Sequence, residues 1–281
     1  MALTPTVLLD GLIFPECPRW HDGRLWFCDV NARKVLALGP RGDCEVMLTP
    51  DVPPAGLGWR PDGSLLVVST TDRRLLRQQA GGLREVADLA ARESVALNDM
   101  VVDAHGRAYI GAWGFDLNRG ATPAPACVFL VDLDGSVSVA ADAMMFPNGM
   151  VITPDGRTLV VAETVARRLT AFDIAADGTL SGRRVWAELE TFPDGICLDA
   201  EGAVWVAAPV TGDCLRVREG GAVAERVAVP GKGTYACMLG GDDRRTLYLC
   251  TAKTTPRDLA EDRSTGWIES VRVDVPGAGL P

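Results

Sequence analysis

The sequence predicts an all-β chain folded as a six-bladed β-propeller, with four strands in each blade. Three observations carry this expectation. A unit of apolar strand, tight turn and second apolar strand recurs six times. The units follow one another at roughly the 40–50-residue spacing of propeller blades. One strand-like stretch at the start of the chain, Thr6–Asp10, belongs to no unit.

The turns come in order at Asp22-Gly23, Asp62-Gly63, His105-Gly106, Asp155-Gly156, Glu201-Gly202 and Asp243-Arg244. Glycine there supplies the positive φ that a short connection between antiparallel strands needs. The strands that follow are Leu25–Phe27, Leu65–Val68, Ala108–Ile110, Leu159–Val161, Val204–Val206 and Leu247–Leu249, all apolar runs of the kind buried in a sheet. Blade one continues with Lys34–Leu38 and Cys44–Leu48, and blade four with Arg168–Asp173 and a strand near Arg183–Ala187. Blade five continues with Cys214–Val217 and Val223–Val227. The last unit has only three strands, ending in Ile268–Val273, so Thr6–Asp10 is expected to complete it and close the ring. Closure removes exposed sheet edges. The whole of 1–281 reads as a single propeller domain that requires no helix of normal length.

Composition narrows function. Of the 281 residues, 47% are hydrophobic, enough for a large core, and the formal net charge is -9. That charge argues against nucleic acid or an anionic membrane as partner. No apolar run has the length of a transmembrane helix. The start of the chain lacks the basic and apolar regions of a signal peptide. The expectation is a soluble cytoplasmic protein, a monomer or weak homo-oligomer. The eight cysteines include no Cys-x-x-Cys pair and read as small buried thiols. Only two histidines occur, His21 and His105, both in turn segments. This argues against a Ser-His-Asp triad or a His-rich zinc centre.

Aligning the six units on their first strands exposes one further position. It holds Glu16, Ala55, Asn98, Asn148, Asp194 and Ala236. Four of these six are carboxylates or amides, placed where the innermost strands begin and converge on the axis. Carboxylates gathered in a narrow channel repel unless a cation sits between them. An all-oxygen set favours a hard divalent ion, Ca²⁺ first, with Mg²⁺, Mn²⁺ or Zn²⁺ as alternatives. Glu16, Asn148 and Asp194 each follow Phe-Pro, which fixes φ just ahead of the donor and restricts the residue before it. Singly, each is an ordinary strand-initiating turn former; as an aligned set they point to a site.

Phe14-Pro15-Glu16-Cys17-Pro18-Arg19-Trp20-His21-Asp22-Gly23-Arg24-Leu25-Trp26-Phe27 resembles the opening signature of the SMP-30/gluconolactonase/LRE family. Asn98-Asp99, Phe146-Pro147-Asn148-Gly149 and Phe192-Pro193-Asp194-Gly195 resemble its later motifs in the same order. The resemblance implies a six-bladed metal-dependent hydrolase, usually a lactonase, with organophosphate hydrolases among its relatives. It implies Glu16, Asn148 and Asp194 as metal ligands, Asn98 as a fourth ligand or substrate contact, and Asp194 also as general base. Two departures stand out: Ala96 where sugar-lactone members carry Arg, which counts against aldonolactones, and Cys17 where Gly is common. A small side chain filling a tight turn is the expected role of Cys17.

Strand polarity puts the loops between second and third strands on the donors' side. Two are long, Ala112–Ala126 and Lys253–Gly266. Long loops in compact domains are commonly functional. Trp113, Phe115, Asn118 and Arg119 from the first loop, and Thr254, Arg257 and Trp267 from the second, are candidate walls of a substrate pocket, with Met100 and Met150 as its floor. Each taken alone is nearly as well explained as a blade cap. Aromatic walls with few charges suggest a lactone or ester less polar than a free sugar lactone. The expected chemistry is opening of a small-molecule lactone, with the ion polarising the carbonyl and Asp194 accepting a proton from water. Phosphotriester hydrolysis at the same site, or a non-catalytic ligand-binding propeller, are the alternatives.

Overall fold

A computed structural model of the chain describes residues 3–93, 95–116 and 119–281. Six four-stranded antiparallel sheets form the six blades of a propeller. The innermost strands are Pro15–His21, Pro54–Trp59, Leu97–Val102, Pro147–Ile152, Ile196–Leu198 and Gly233–Gly240. Each packs against the next, and the last against the first, so they form a closed ring. Within blades one to five the strands run outward in chain order.

Blade six is closed as the leftover strand requires. Thr6–Leu12 is its outermost strand, antiparallel to Thr265–Arg272, with Thr6 opposite Ser270 and Leu12 opposite Gly266. The closing strand runs two residues past the expected Asp10, because pairing resumes beyond an irregularity containing Gly11, whose φ is 73°. The one α-helix among the described residues is a single turn, Pro256–Ala260, in the long blade-six loop. Thr255 caps it, its Oγ1 accepting from the Asp258 amide at 3.1 Å.

The core lies between blades. Leu57, Leu66, Leu97 and Met100 are sealed between the second and third blades, and Val151, Val160, Ile196 and Val204 between the fourth and fifth. A polar group that crosses this apolar layer is Arg19. It lies buried on the inner strand of blade one, and its guanidinium reaches two other blades. Nε donates to the Leu57 carbonyl at 2.9 Å, and Nη2 to Asp99 Oδ1 at 2.5 Å and the Met100 carbonyl at 2.6 Å. Blades one, two and three are thereby tied together by one side chain.

At the opposite end of the ring from the converging donors, the C-terminal segment crosses three blades. Gly277 donates to the Arg244 carbonyl, Ala278 to that of Leu198, and Leu280 exchanges a pair of backbone hydrogen bonds with Ile152. These contacts join blades six, five and four along the far ends of their inner strands. Nothing periodic in the sequence marks this Pro- and Gly-containing segment.

Replacing Arg19 alone should be costly, because Asp99 would then be a buried, unpaired charge. Arg19→Leu is expected to lower the unfolding free energy by about 3–5 kcal/mol, and Arg19→Leu with Asp99→Leu by distinctly less. Denaturant titration of the three proteins checks this, and equal losses in the two variants would contradict the clamp.

Candidate functional site

Each inner strand begins close to the axis, and in five of the six the pairing slips at that point. Irregularities fall between Glu16 and Arg19, Pro54 and Leu57, Leu97 and Met100, Pro147 and Met150, and Thr234 and Ala236. A bulge re-aims side chains and is common beside functional sites. Here it separates the donor from the residue two places on. In a regular strand Asn98 and Met100, or Asn148 and Met150, would share a face. After the slip the methionines turn into the core instead, 0% and 1% exposed. Met100 and Met150 therefore form no pocket floor.

The bulge also accounts for Cys17. Its φ is 51°, a left-handed conformation that favours glycine, and its side chain is buried. Its amide donates to Glu16 Oε2 at 3.1 Å. Phe146 is left-handed too, at φ 62°, rather than extended as a residue before proline prefers. Packing holds it there: its ring centroid lies 5.6 Å from those of both Trp113 and Phe115. Acidic side chains at the ends of the second strands steady the approach to the motifs. Asp29 accepts from the amides of Ile13 and Phe14, and Glu163 from that of Met145.

The glycine after each later donor has a steric reason. A β-carbon on Gly149 would lie 2.5 Å from the Ile196 nitrogen and 2.8 Å from the Asp194 carbonyl oxygen. One on Gly195 would lie 2.5 Å from Cβ of Ala236. This approach lets the Gly149 amide donate to the Asp194 carbonyl at 3.2 Å and the Gly195 amide to that of Tyr235 at 2.8 Å. Blades four, five and six are stitched together where their donors emerge.

Glu16, Asn98, Asn148 and Asp194 thus stand at the same end of the ring. Asn98 Nδ2 donates to the Pro147 carbonyl at 3.1 Å, and Asn148 Nδ2 to Thr164 Oγ1 at 3.2 Å; Thr164 in turn donates to the Pro193 carbonyl at 2.7 Å. Thr164, which the sequence reading missed, links two donor motifs through one hydroxyl.

The electrostatics of the two acids follow from burial. Desolvation, reinforced by the charge of Asp194 and then Asp99, holds the Glu16 carboxyl well above the usual carboxylate range. Burial pushes Asp194 up to about 8, against the opposing hydrogen bond from the Asn148 amide. Arg19 is the nearby cation, but its charge is engaged with Asp99. Among the described residues no group of three His, Cys, Asp or Glu side chains is arranged to hold a metal. Any ion here would depend on two carboxylates completed by amide oxygens, a hard-oxygen set.

The loops meet expectation in part. Trp113 is half-buried at the rim, its indole Nε1 without a hydrogen-bond partner among the described residues. Phe115 is buried beneath Phe146 rather than lining a wall. Arg119 is 88% exposed and paired with Asp116, and Arg257 is likewise exposed and paired with Glu261. Asn118 lies outside the described residues. Thr254 borders a cavity of about 560 Å³ between the blade-five and blade-six loops, which Tyr235 also lines. Trp267 carries Lys232 over its ring at 4.2 Å.

Tyr235 is the site residue that sequence reasoning passed over. It precedes Ala236, a blank position of the aligned set. Its ring meets Phe14 edge-on at 4.8 Å, and burial, with the nearby charges of Asp194 and Glu16, raises its phenol to about 12. A second cavity of about 620 Å³, lined by His105, Arg107 and Asp155, opens at the opposite end near Leu280, away from the donors.

Comparison with known proteins agrees with this architecture. Residues 14–253 match the family model described as SMP-30/Gluconolactonase/LRE-like region. The 6-deoxy-6-sulfogluconolactonase of Pseudomonas putida is 26% identical over 98% of this chain and 96% of its own. The pentonolactonase of Haloferax volcanii is 30% identical over 95% of this chain and 92% of its own. A solved gluconolactonase from Xanthomonas campestris superposes with a TM-score of 0.74 at 25% identity, covering 94% of this chain and 88% of that one. Regucalcin from Agrobacterium tumefaciens, at 23% identity, has the same fold with a TM-score of 0.83, covering 100% of this chain and 98% of that one. With a family match across most of its length and its four ordered motifs converging at one end of the ring, the chain belongs to the SMP-30/gluconolactonase/LRE-like family.

Proposed function

We propose that this protein hydrolyses lactones with one divalent cation held by Glu16, Asn148 and Asp194, and with Asn98 as fourth ligand or substrate contact. The observation that carries the reading is that two carboxylates, Glu16 and Asp194, and two amides begin inner strands at the same end of the ring, where the nearby cation Arg19 is already paired with Asp99. The lactonase names of relatives matched along nearly the whole chain support the reaction class.

The donor chemistry fits the group. Two half-buried acids with raised affinity for protons are two acids that a doubly charged ion would relieve, and amide oxygens suit the same hard ion. Ca²⁺ is the first choice on these grounds. Bound there, the cation supplies Lewis acidity toward the lactone carbonyl. The remaining roles belong to the chain. Asp194 takes a proton from the attacking water as the new carbon–oxygen bond forms. The ring carbon–oxygen bond breaks, and the proton passes to the departing alkoxide, leaving a hydroxy acid. Asn148, held by Thr164, fixes the donor geometry. The half-buried face of Trp113 offers the substrate an apolar wall.

Two outcomes are expected. First, chelator-treated protein should open few lactones in a pH-indicator screen and recover on addition of Ca²⁺, Mn²⁺ or Zn²⁺. Asp194→Asn should lose about 10²–10⁴-fold in turnover while remaining folded. Undiminished activity in that variant would remove the reading, and faster hydrolysis of a paraoxon-like ester would move it to phosphotriesters.

Second, stability should depend on pH in a defined sense. Asp194 has a raised folded-state value, so the fold holds this proton after the unfolded chain has released it. Stability of the metal-free protein then falls as pH rises from the ordinary carboxylate range to about 8. The rise in Tm on adding a divalent cation should be small at pH 5 and larger at pH 8, and Asp194→Asn should flatten the metal-free trend. An increment independent of pH would count against ion binding at these carboxylates.

A further inference from the structure

The 560 Å³ cavity lies on the donors' side of the ring, between the blade-five loop at Pro209–Gly212 and the blade-six loop at Lys253–Thr255. Tyr235 is its boundary with the channel. The backbone of Tyr235 is hydrogen-bonded to Gly195, next to Asp194. Its ring packs on Phe14, two residues before Glu16. Its hydroxyl lies against Gly233, where a β-carbon would come within 2.9 Å of it. The absence of a side chain at Gly233 is what leaves room for the phenol at the cavity wall. One residue therefore touches both the donor motifs and the adjoining space.

The chemistry of that space is that of hydrogen bonding. Thr211 and Thr254 border it together with the phenol. The Lys232 ammonium is not available as a free charge. It is 3.0 Å from Glu269, whose other oxygen accepts from Thr251, and it rests on Trp267. Asp258 is likewise occupied by the hydroxyl of Thr255 at 2.7 Å. Hydroxyl donors and acceptors, with the exposed Lys253 as a further lining donor, suit a hydroxylated chain better than a hydrocarbon.

We propose that Tyr235 is a specificity-determining residue that directs the hydroxylated exocyclic chain of a lactone into the cavity between blades five and six, while the ring faces Asp194. This rests on the lactonase reading above. It assigns the substrate's tail to the side of the channel across from Trp113, where the sequence alone had placed the pocket walls.

The test compares two lactones of the same ring size, one bare and one carrying a hydroxylated side chain. For the wild type, kcat/KM should favour the substituted lactone. In Tyr235→Phe that preference should shrink about 3- to 10-fold, chiefly through KM, as expected for one lost uncharged hydrogen bond. Thr211→Trp, on an exposed loop where folding is not at issue, should shrink it at least as much by filling the space. Calorimetric affinities for the two open-chain hydroxy acids should show the same loss of discrimination without turnover. An unchanged preference in both variants, or a fall in kcat equal for the two lactones, overturns the proposal and leaves the lactonase reading standing. A wild type that opens neither lactone, with cation supplied, overturns both.

Discussion

The backbone approach between neighbouring inner strands is the constraint on which this structure depends. Six strands can share an axis only if their main chains come nearer than side chains ordinarily permit. Gly149 and Gly195 supply that nearness in blades four to six, where an added β-carbon would fall within 2.5 Å of the neighbouring strand. Gly56 does the same between blades two and three, where an added β-carbon would fall 2.4 Å from the Met100 nitrogen, and Arg19 satisfies carbonyls there that would otherwise be buried without partners. The bulges follow from the same crowding. In blades one, three and four they separate Glu16, Asn98 and Asn148 from the residues that return to the core, so ring closure and the projection of these three side chains are one structural event.

Convergence has an electrostatic cost. Glu16 and Asp194 sit where charge is poorly solvated, and the charge of Asp194 further disfavours ionisation of Glu16. A chain selected only for stability would place apolar residues here, as it does at the equivalent Ala55 and Ala236, both buried. The supporting shell is correspondingly elaborate: Asp29 and Glu163 hold the backbone before the motifs, and Thr164 joins Asn148 to the next blade. Such preorganisation is what keeps a functional constellation in place against its own repulsion.

Much of this was legible in the sequence because a repeat makes its own alignment. The turns at Asp22-Gly23 through Glu201-Gly202 located the blades, and the leftover Thr6–Asp10 correctly announced how the ring closes. Comparing equivalent positions brought out the four polar donors. The same device concealed Tyr235, since the aligned column in blade six holds Ala236 and the phenol stands one residue earlier. Met100 and Met150 were misassigned because a regular strand places residues i and i+2 on one face, and periodicity does not register a bulge. The C-terminal segment follows no periodic pattern. Its contacts with Leu198 and Ile152 depend on main-chain atoms, which sequence does not differentiate.

The fastenings differ in kind around the ring. Arg19 binds the first three blades to one another, while the glycine contacts and the C-terminal segment bind the last three. Blades three and four are joined in another way, by side chains on carbonyls: Arg107 on Ala176, Tyr109 on Gly178, and Asn98 on Pro147. Asn98 thus spans the boundary between the two groups of blades. A residue of the aligned set is itself a rivet of the ring, so its replacement touches the scaffold as well as the centre.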